Sequence, residues 1–135
     1  MGIEVREGLS PLLQVFDMPT SVRFYRDVLG FAVVHHSEPL GTDDYGWCML
    51  RNNDAMLMLN TAYEPESRPA ATDATRTAAH DDTCLYIGCP DVDAAYEYLK
   101  SMGVECQAPK VTYYGMRQLY FKDPDGFGLC LQWTV

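Results

Sequence analysis

The chain has 135 residues, 47% hydrophobic and 21% charged, enough for one domain that buries roughly two thirds of its unfolded surface and too apolar for a disordered segment. Nineteen acidic residues against ten basic ones leave a net charge of −9, spread over both halves, which repels phosphate backbones and anionic lipid and sets nucleic acid and membrane aside as partners. Five cysteines (Cys48, Cys84, Cys89, Cys106, Cys130) form no C-x-x-C pair and no even disulfide framework, and no apolar run reaches the length of a membrane span, so a cytoplasmic location is expected.

In chain order, Gly8 to Phe16 has strand character, with Pro11 pointing to an edge or a bulge. Asp17 followed by Pro19 is a helix-start signal. Val22, Phe24, Tyr25, Val28 and Leu29 then recur at helical spacing until Gly30, which predicts an amphipathic helix of about three turns. Phe31–Glu38 reads as a strand, 39–43 as a loop, Tyr45–Arg51 as a strand, and Ala55–Asn60 as another after the turn at 52–54. His35 and His36 are adjacent on a strand and therefore point to opposite faces. Residues 63–82 carry Pro, Ala, Thr and charge without apolar periodicity and read as a long exposed connection or lid, with His80 an exposed polar residue in it.

The second half repeats the element order of the first. Cys84–Cys89 is a strand, and a helix starts at Pro90-Asp91-Val92-Asp93 with Ala94, Ala95, Tyr98 and Leu99 turned inward. Val104–Gln107 is a short strand, and a hairpin closes the chain around Asp123-Pro124-Asp125-Gly126, where Pro fixes one backbone angle and Gly accepts a positive one. Asp17 aligns with Asp91, Phe24 with Tyr98, and Gly30 with Gly103 within one residue. The reading is an internal duplication of a βαβββ unit. The fold class expected is α+β, one domain over residues 1–135, with a first module at about 8–62, a connecting loop at about 63–82 and a second module at about 83–135.

Three signatures in this order, Asp17-Met18-x-x-Ser21-x-x-Phe24-Tyr25-x-x-Val28-Leu29-Gly30-Phe31, Asp91-Val92-Asp93-Ala94-Ala95 with Gly103-Val104, and Phe121-x-Asp123-Pro124-Asp125-Gly126, resemble the glyoxalase, bleomycin-resistance and extradiol-dioxygenase superfamily, also called vicinal oxygen chelate. The resemblance spans nearly the whole chain. It implies two tandem βαβββ modules forming a cup-shaped mixed sheet around a ligand cavity, helices outside, and a homodimer. Enzymes of that family hold a divalent metal through His, Glu or Gln at four strand positions, which suits hard and borderline cations. Those positions fall here on Ser10, Met58, Cys84 and Cys130. None is a ligand of that kind, so no metal or other cofactor is expected, and no catalytic residue is assigned.

Strand parity together with the family register turns Ser10, Leu12, Met56, Met58, Cys84, Tyr86, Gln118, Tyr120 and Cys130 towards the cup, and leaves Leu57, Leu59, Leu85, Ile87, Leu119, Phe121, Leu129 and Leu131 for the helix side. Trp47 adds an aromatic side chain. Tyr114-Gly115-Met116-Arg117 is similar to the aromatic-Gly-x-Arg run that precedes the hairpin in drug-sequestering members, where the aromatic stacks on a planar part of the drug. Arg117 alternates away from Gln118 and Tyr120 and reads as an internal ion-pair or hydrogen-bonding residue whose carboxylate partner the sequence does not name. The expected ligand-binding set is Trp47, Met56, Met58, Cys84, Tyr86, Tyr114, Gln118, Tyr120 and Cys130. The function expected is metal-free sequestration of a hydrophobic or cationic aromatic compound, as in antibiotic-resistance proteins. Two alternatives stay open: a glyoxalase-like lyase, isomerase or dioxygenase with atypical ligands or with Tyr120, Tyr86 or Cys130 moving protons, and an orphan dimerisation domain.

Overall fold

A computed structural model describes residues 1–135. The chain divides into two units, Met1–Arg68 and Pro69–Val135.

The first unit runs β1 (Leu12–Val15), α1 (Met18–Arg23), β2 (Ala32–His36), β3 (Pro39–Gly41), β4 (Asp44–Tyr45), β5 (Trp47–Asn52) and β6 (Ala55–Thr61). Its main sheet has the order β1-β6-β5-β2, with β1 parallel to β6 and the other pairs antiparallel. Alternation along the strands sends Leu13, Val15, Cys48, Leu50, Leu57 and Leu59 to one face, where they are buried with Met18, Val22 and Tyr25 of the helical segment. Each fully buried apolar side chain of this size contributes roughly 1.5–3 kcal/mol.

Asp17 caps α1, its carboxylate accepting from the Thr20 amide at 3.3 Å. The predicted three-turn helix proves to be two pieces, because the chain widens into a π-type turn over Phe24–Val28. That turn lets the buried Tyr25 ring meet Phe24 and Phe31 edge-on at 5.2 and 6.0 Å. Gly30, at φ 78°, ends it. The expected loop at 39–43 is instead the small β3–β4 ribbon, its turn carried by Asp43 at φ 56°, whose carboxylate receives Arg26 at 2.7 and 3.2 Å. The first strand is shorter than expected and begins at Leu12, because Pro11 has no N–H for the ladder and joins it only through its carbonyl, which accepts from the Met58 amide at 2.8 Å.

The second unit contains α2 (Ala74–Ala79), β7 (Cys84–Gly88), α3 (Val92–Ser101), β8 (Lys110–Val111), β9 (Met116–Lys122) and β10 (Gly128–Thr134). Its sheet order, β7-β10-β9-β8 with β7 parallel to β10, repeats the connectivity of the first sheet strand for strand. The duplicated βαβββ topology is therefore present. Asp91 caps α3 through the Ala94 amide at 2.9 Å. With Val92 as the first helical residue, the buried line runs through Val92 and Leu99, so Ala94 and Tyr98 face outward, contrary to expectation. The Val104–Gln107 strand reduces to a single bridge, Cys106 to Phe121.

The 63–82 connection is not an irregular loop. Its first part folds back within the first unit, where Arg68 makes a two-pronged ion pair with Asp44 at 2.8 Å on each arm and also reaches the Thr61 hydroxyl at 3.2 Å. Its second part forms α2 and packs on the closing hairpin of the second unit. His80, expected to be an exposed polar residue, instead stacks on Phe127 with ring centres 3.8 Å apart, and its Nδ1 lies 2.7 Å from the Asp125 carbonyl. Arg76 stands 3.7 Å from the buried Asp125 carboxylate. No helix is long and apolar enough to cross a membrane.

Candidate functional site

The hairpin turn sets the register of the second sheet. Asp123 and Phe127 close it through a 3.0 Å amide-to-carbonyl bond, the Asp123 carboxylate accepts from the Asp125 and Phe127 amides at 2.9 Å each, and Gly126 supplies φ 83°. With that register, Tyr86, Cys130 and Tyr120 form one row across β7, β10 and β9, and Gln132 and Gln118 pair in the next. One face of the sheet thus carries the phenols and amides. The other buries Leu119, Phe121 and Leu129.

The polar face is a connected network. The Tyr86 and Tyr120 hydroxyls meet at 2.9 Å above the fully buried Cys130, with their rings edge to face at 6.2 Å. Tyr120 donates to Gln118 Oε1 at 3.0 Å. Gln118 Nε2 donates to the Tyr114 hydroxyl at 3.1 Å and to Gln132 Oε1 at 3.0 Å. The three tyrosines remain about half exposed (53%, 47% and 58% for Tyr86, Tyr120 and Tyr114), whereas Gln118 is 6% exposed. An amide this buried is positioned by bonds on both of its ends.

The Tyr120 phenol, hydrogen-bonded within this network and partly desolvated, stands well above its ordinary value. Burial likewise raises the Cys130 thiol, against a smaller opposing effect of its contact with Tyr120. Cys84 is exposed one row away, opposite Gly128. Tyr114 sits in a turn closed by the Gly115 amide on the Thr112 carbonyl at 3.1 Å, with Gly115 at φ 82°. Arg117 points to the opposite side and finds Asp93 of α3 at 2.6 Å, which identifies the partner the sequence left unnamed.

Trp47, Met56 and Met58 lie on the first sheet. Leu12, Met58 and Met49 form one row, and Gln14, Asn60 and Trp47 the next, on the face opposite the helix. Asn60 Nδ2 donates to Gln14 Oε1 at 3.2 Å. Within its own unit, each group of expected site residues therefore shares one sheet face: Trp47, Met56 and Met58 in the first; Cys84, Tyr86, Gln118, Tyr120 and Cys130 in the second, with Tyr114 joined to it by hydrogen bonding. Gln132 and Met49 belong to these faces and were missed, although each is two residues from, or directly across from, a residue the parity rule had selected.

The donor set does not suit a divalent metal. Ser10 precedes β1, Met58 is a thioether and Cys130 is buried under two phenols, and no group of three or more His, Cys, Asp or Glu side chains is placed to hold an ion.

Comparison with known proteins is consistent with this architecture. The model of the family described as Glyoxalase/Bleomycin resistance protein/Dioxygenase superfamily matches residues 9–131. The chain is 30% identical over 100 residues, 70% of each chain, to a bleomycin resistance protein of Geobacillus stearothermophilus. It is 28% identical over 114 residues, 84% of each, to the uncharacterized protein YaeR of Escherichia coli. Among solved structures, the antibiotic-binding protein TnmS3 from Streptomyces sp. CB03234 matches with a TM-score of 0.69 at 23% identity, covering 98% of this chain and all of that one. A bleomycin-binding protein complexed with bleomycin matches at 0.65 and 22%, covering 96% and 100%.

Proposed function

The chain belongs to the Glyoxalase/Bleomycin resistance protein/Dioxygenase superfamily, and on that footing we propose that it is a binding protein that captures a hydrophobic or cationic aromatic small molecule without a metal. The observation that carries this reading is the face built from Tyr86, Tyr114 and Tyr120, three half-exposed rings whose hydroxyls are tied into one network. Rings fixed in this way lose little freedom when a planar ligand stacks on them. Each cation placed over such a ring gains about 0.5–2 kcal/mol, and a chain of net charge −9 draws cations towards it. The relatives named for bleomycin resistance and antibiotic binding support the same class of ligand.

Proton-transfer catalysis fits the face less well. A general base at neutral pH needs a group that gives up its proton near pH 7, and Tyr120 and Cys130 are both shifted the other way. The five free thiols suit a reducing compartment and hence a cytoplasmic location. The exposed Tyr98, Met102, Val111 and Trp133 supply apolar surface for a homodimer, which light scattering would establish.

The test is a titration of the purified protein with a panel of cationic aromatic antibiotics, read by quenching of Trp47 and Trp133 and by melting temperature. At least one should saturate and stabilise the fold, by about 2.7 kcal/mol at a hundredfold excess over Kd, and Tyr120→Ala should abolish the effect. Silence across the panel refutes capture of this class, and a stoichiometric transition metal in protein purified without chelator refutes the metal-free reading.

A further inference from the structure

The hydrogens in the tyrosine network can be counted, and the count fixes what the network offers a ligand. Gln118 Oε1 can only accept, so the one hydroxyl hydrogen of Tyr120 is spent on it. The contact between Tyr120 and Tyr86 must then use the hydrogen of Tyr86, with Tyr120 accepting. Tyr86 therefore has lone pairs to offer and no hydrogen. At the other end both hydrogens of Gln118 Nε2 are spent, one on the Tyr114 oxygen and one on Gln132 Oε1. Tyr114 accepts there, which leaves its own hydrogen to offer. Lys110, across from Gln118 in the register of β8 and β9, adds a second donor at that end.

We propose that this one-way chain of hydrogen bonds makes the face selective for a ligand that presents an N–H donor to Tyr86 and an oxygen or nitrogen acceptor towards Tyr114. The inference rests on the binding role proposed above and goes further, because stacking alone discriminates by area and charge and is indifferent to which atoms carry the hydrogens. A cation whose nitrogen is fully alkylated stacks equally well and leaves the Tyr86 lone pairs unused. A cation with an N–H gains a charge-assisted bond to them, worth about tenfold or more in affinity.

The experiment uses two planar three-ring cations, 9-aminoacridinium, which carries N–H donors, and 10-methylacridinium, which carries none. Binding to the full chain is followed by fluorescence anisotropy, and the side-chain amide protons of Gln118 are followed separately by nitrogen-15 NMR without ligand. The wild type should prefer 9-aminoacridinium by about tenfold, and Tyr86→Phe should reduce that preference to about twofold or less. In the spectra, Tyr114→Phe should displace a Gln118 amide proton strongly and Tyr120→Phe much less. Equal affinities for the two cations overturn the selectivity and leave the binding role standing. Binding of neither sinks the binding role for aromatic cations and leaves the amide spectra to decide the wiring. A larger displacement in Tyr120→Phe than in Tyr114→Phe overturns the direction of the chain.

Discussion

Replacing Gly126 with Ala tests how the closing hairpin is held. A Cβ at this position would lie 2.6 Å from Thr77 Cγ2 and 3.2 Å from the Thr77 carbonyl oxygen, in a backbone conformation of φ 83°. The left-handed conformation costs an alanine about 1–2 kcal/mol, and forcing a methyl into packed surroundings costs about 1–3 kcal/mol more. The expected loss is therefore about 2–5 kcal/mol, or roughly 10–20 °C in Tm for a domain of this size. The two contributions separate cleanly. Thr77→Ser removes only Cγ2 and keeps the hydroxyl that donates to the Asp73 carbonyl at 3.1 Å. Introduced beside Gly126→Ala, it should restore about 1 kcal/mol or more, while on its own it should cost less than that. Urea denaturation of the four proteins in the double-mutant cycle measures the coupling. A Gly126→Ala loss no greater than the backbone cost, or a Thr77→Ser change that restores nothing, would show that α2 is not pressed against the turn.

Asp44→Asn leaves the buried Arg68 guanidinium without its two-pronged partner and should cost about 3 kcal/mol or more. A loss below about 1 kcal/mol in urea denaturation would contradict that clasp. Hydrogen bonds from Arg26 hold the Asp43 carboxyl below its ordinary 3.8. Its stabilisation is therefore present above about pH 4 and lost as pH falls through the lower folded value; Asp43→Asn should flatten the acid limb of a Tm profile taken from pH 6 to 2. The Tyr120 phenol is shifted upward from 10.0, so its stabilisation is present below pH 10 and lost above. Tyr120→Phe should flatten the alkaline limb and remove a late-ionising phenol from a spectrophotometric titration.

The parts of the fold legible in the sequence are those encoded by neighbours. Asp17 and Asp91 cap their helices as expected, the Asp123–Gly126 turn has the geometry its residues demand, and alternation along β6, β9 and β10 separates an aliphatic and aromatic core face from the face that carries the thioethers, phenols and amides. What escaped depends on distant partners. α2 has six residues and no apolar stripe, because polar and aromatic contacts to residues more than forty positions away, such as His80 with Asp125 and Phe127, hold it in place. The π-type turn at Phe24–Val28 keeps the same apolar spacing a regular helix would show, so periodicity does not reveal it. The site residues were selected by parity and resemblance, but their bonding was not. Nothing in Gln118 or Tyr86 as letters states which of them donates.

The duplication bears on where selectivity resides. By register, Leu12, Met58 and Met49 in the first sheet occupy the places that Tyr86, Cys130 and Tyr120 take in the second. The next row carries a hydrogen-bonded amide pair in both, Asn60 with Gln14 and Gln118 with Gln132. Only one amide place is common to both rows, Asn60 and Gln132, while Gln14 answers to Gly88 and Trp47 to Gln118; the row beside it carries thioethers and leucine in one unit and phenols in the other. Thioether and leucine surface rewards buried area and adapts to shape, with little preference among polar groups. Phenols joined to a saturated amide present donors and acceptors at fixed points, and a ligand that leaves them unpaired forfeits their hydrogen bonds. On the proposed binding role, changes at Met49, Met56 or Met58 should alter affinity for many ligands together, whereas changes at Tyr86, Tyr114 or Gln118 should reorder which ligand is preferred.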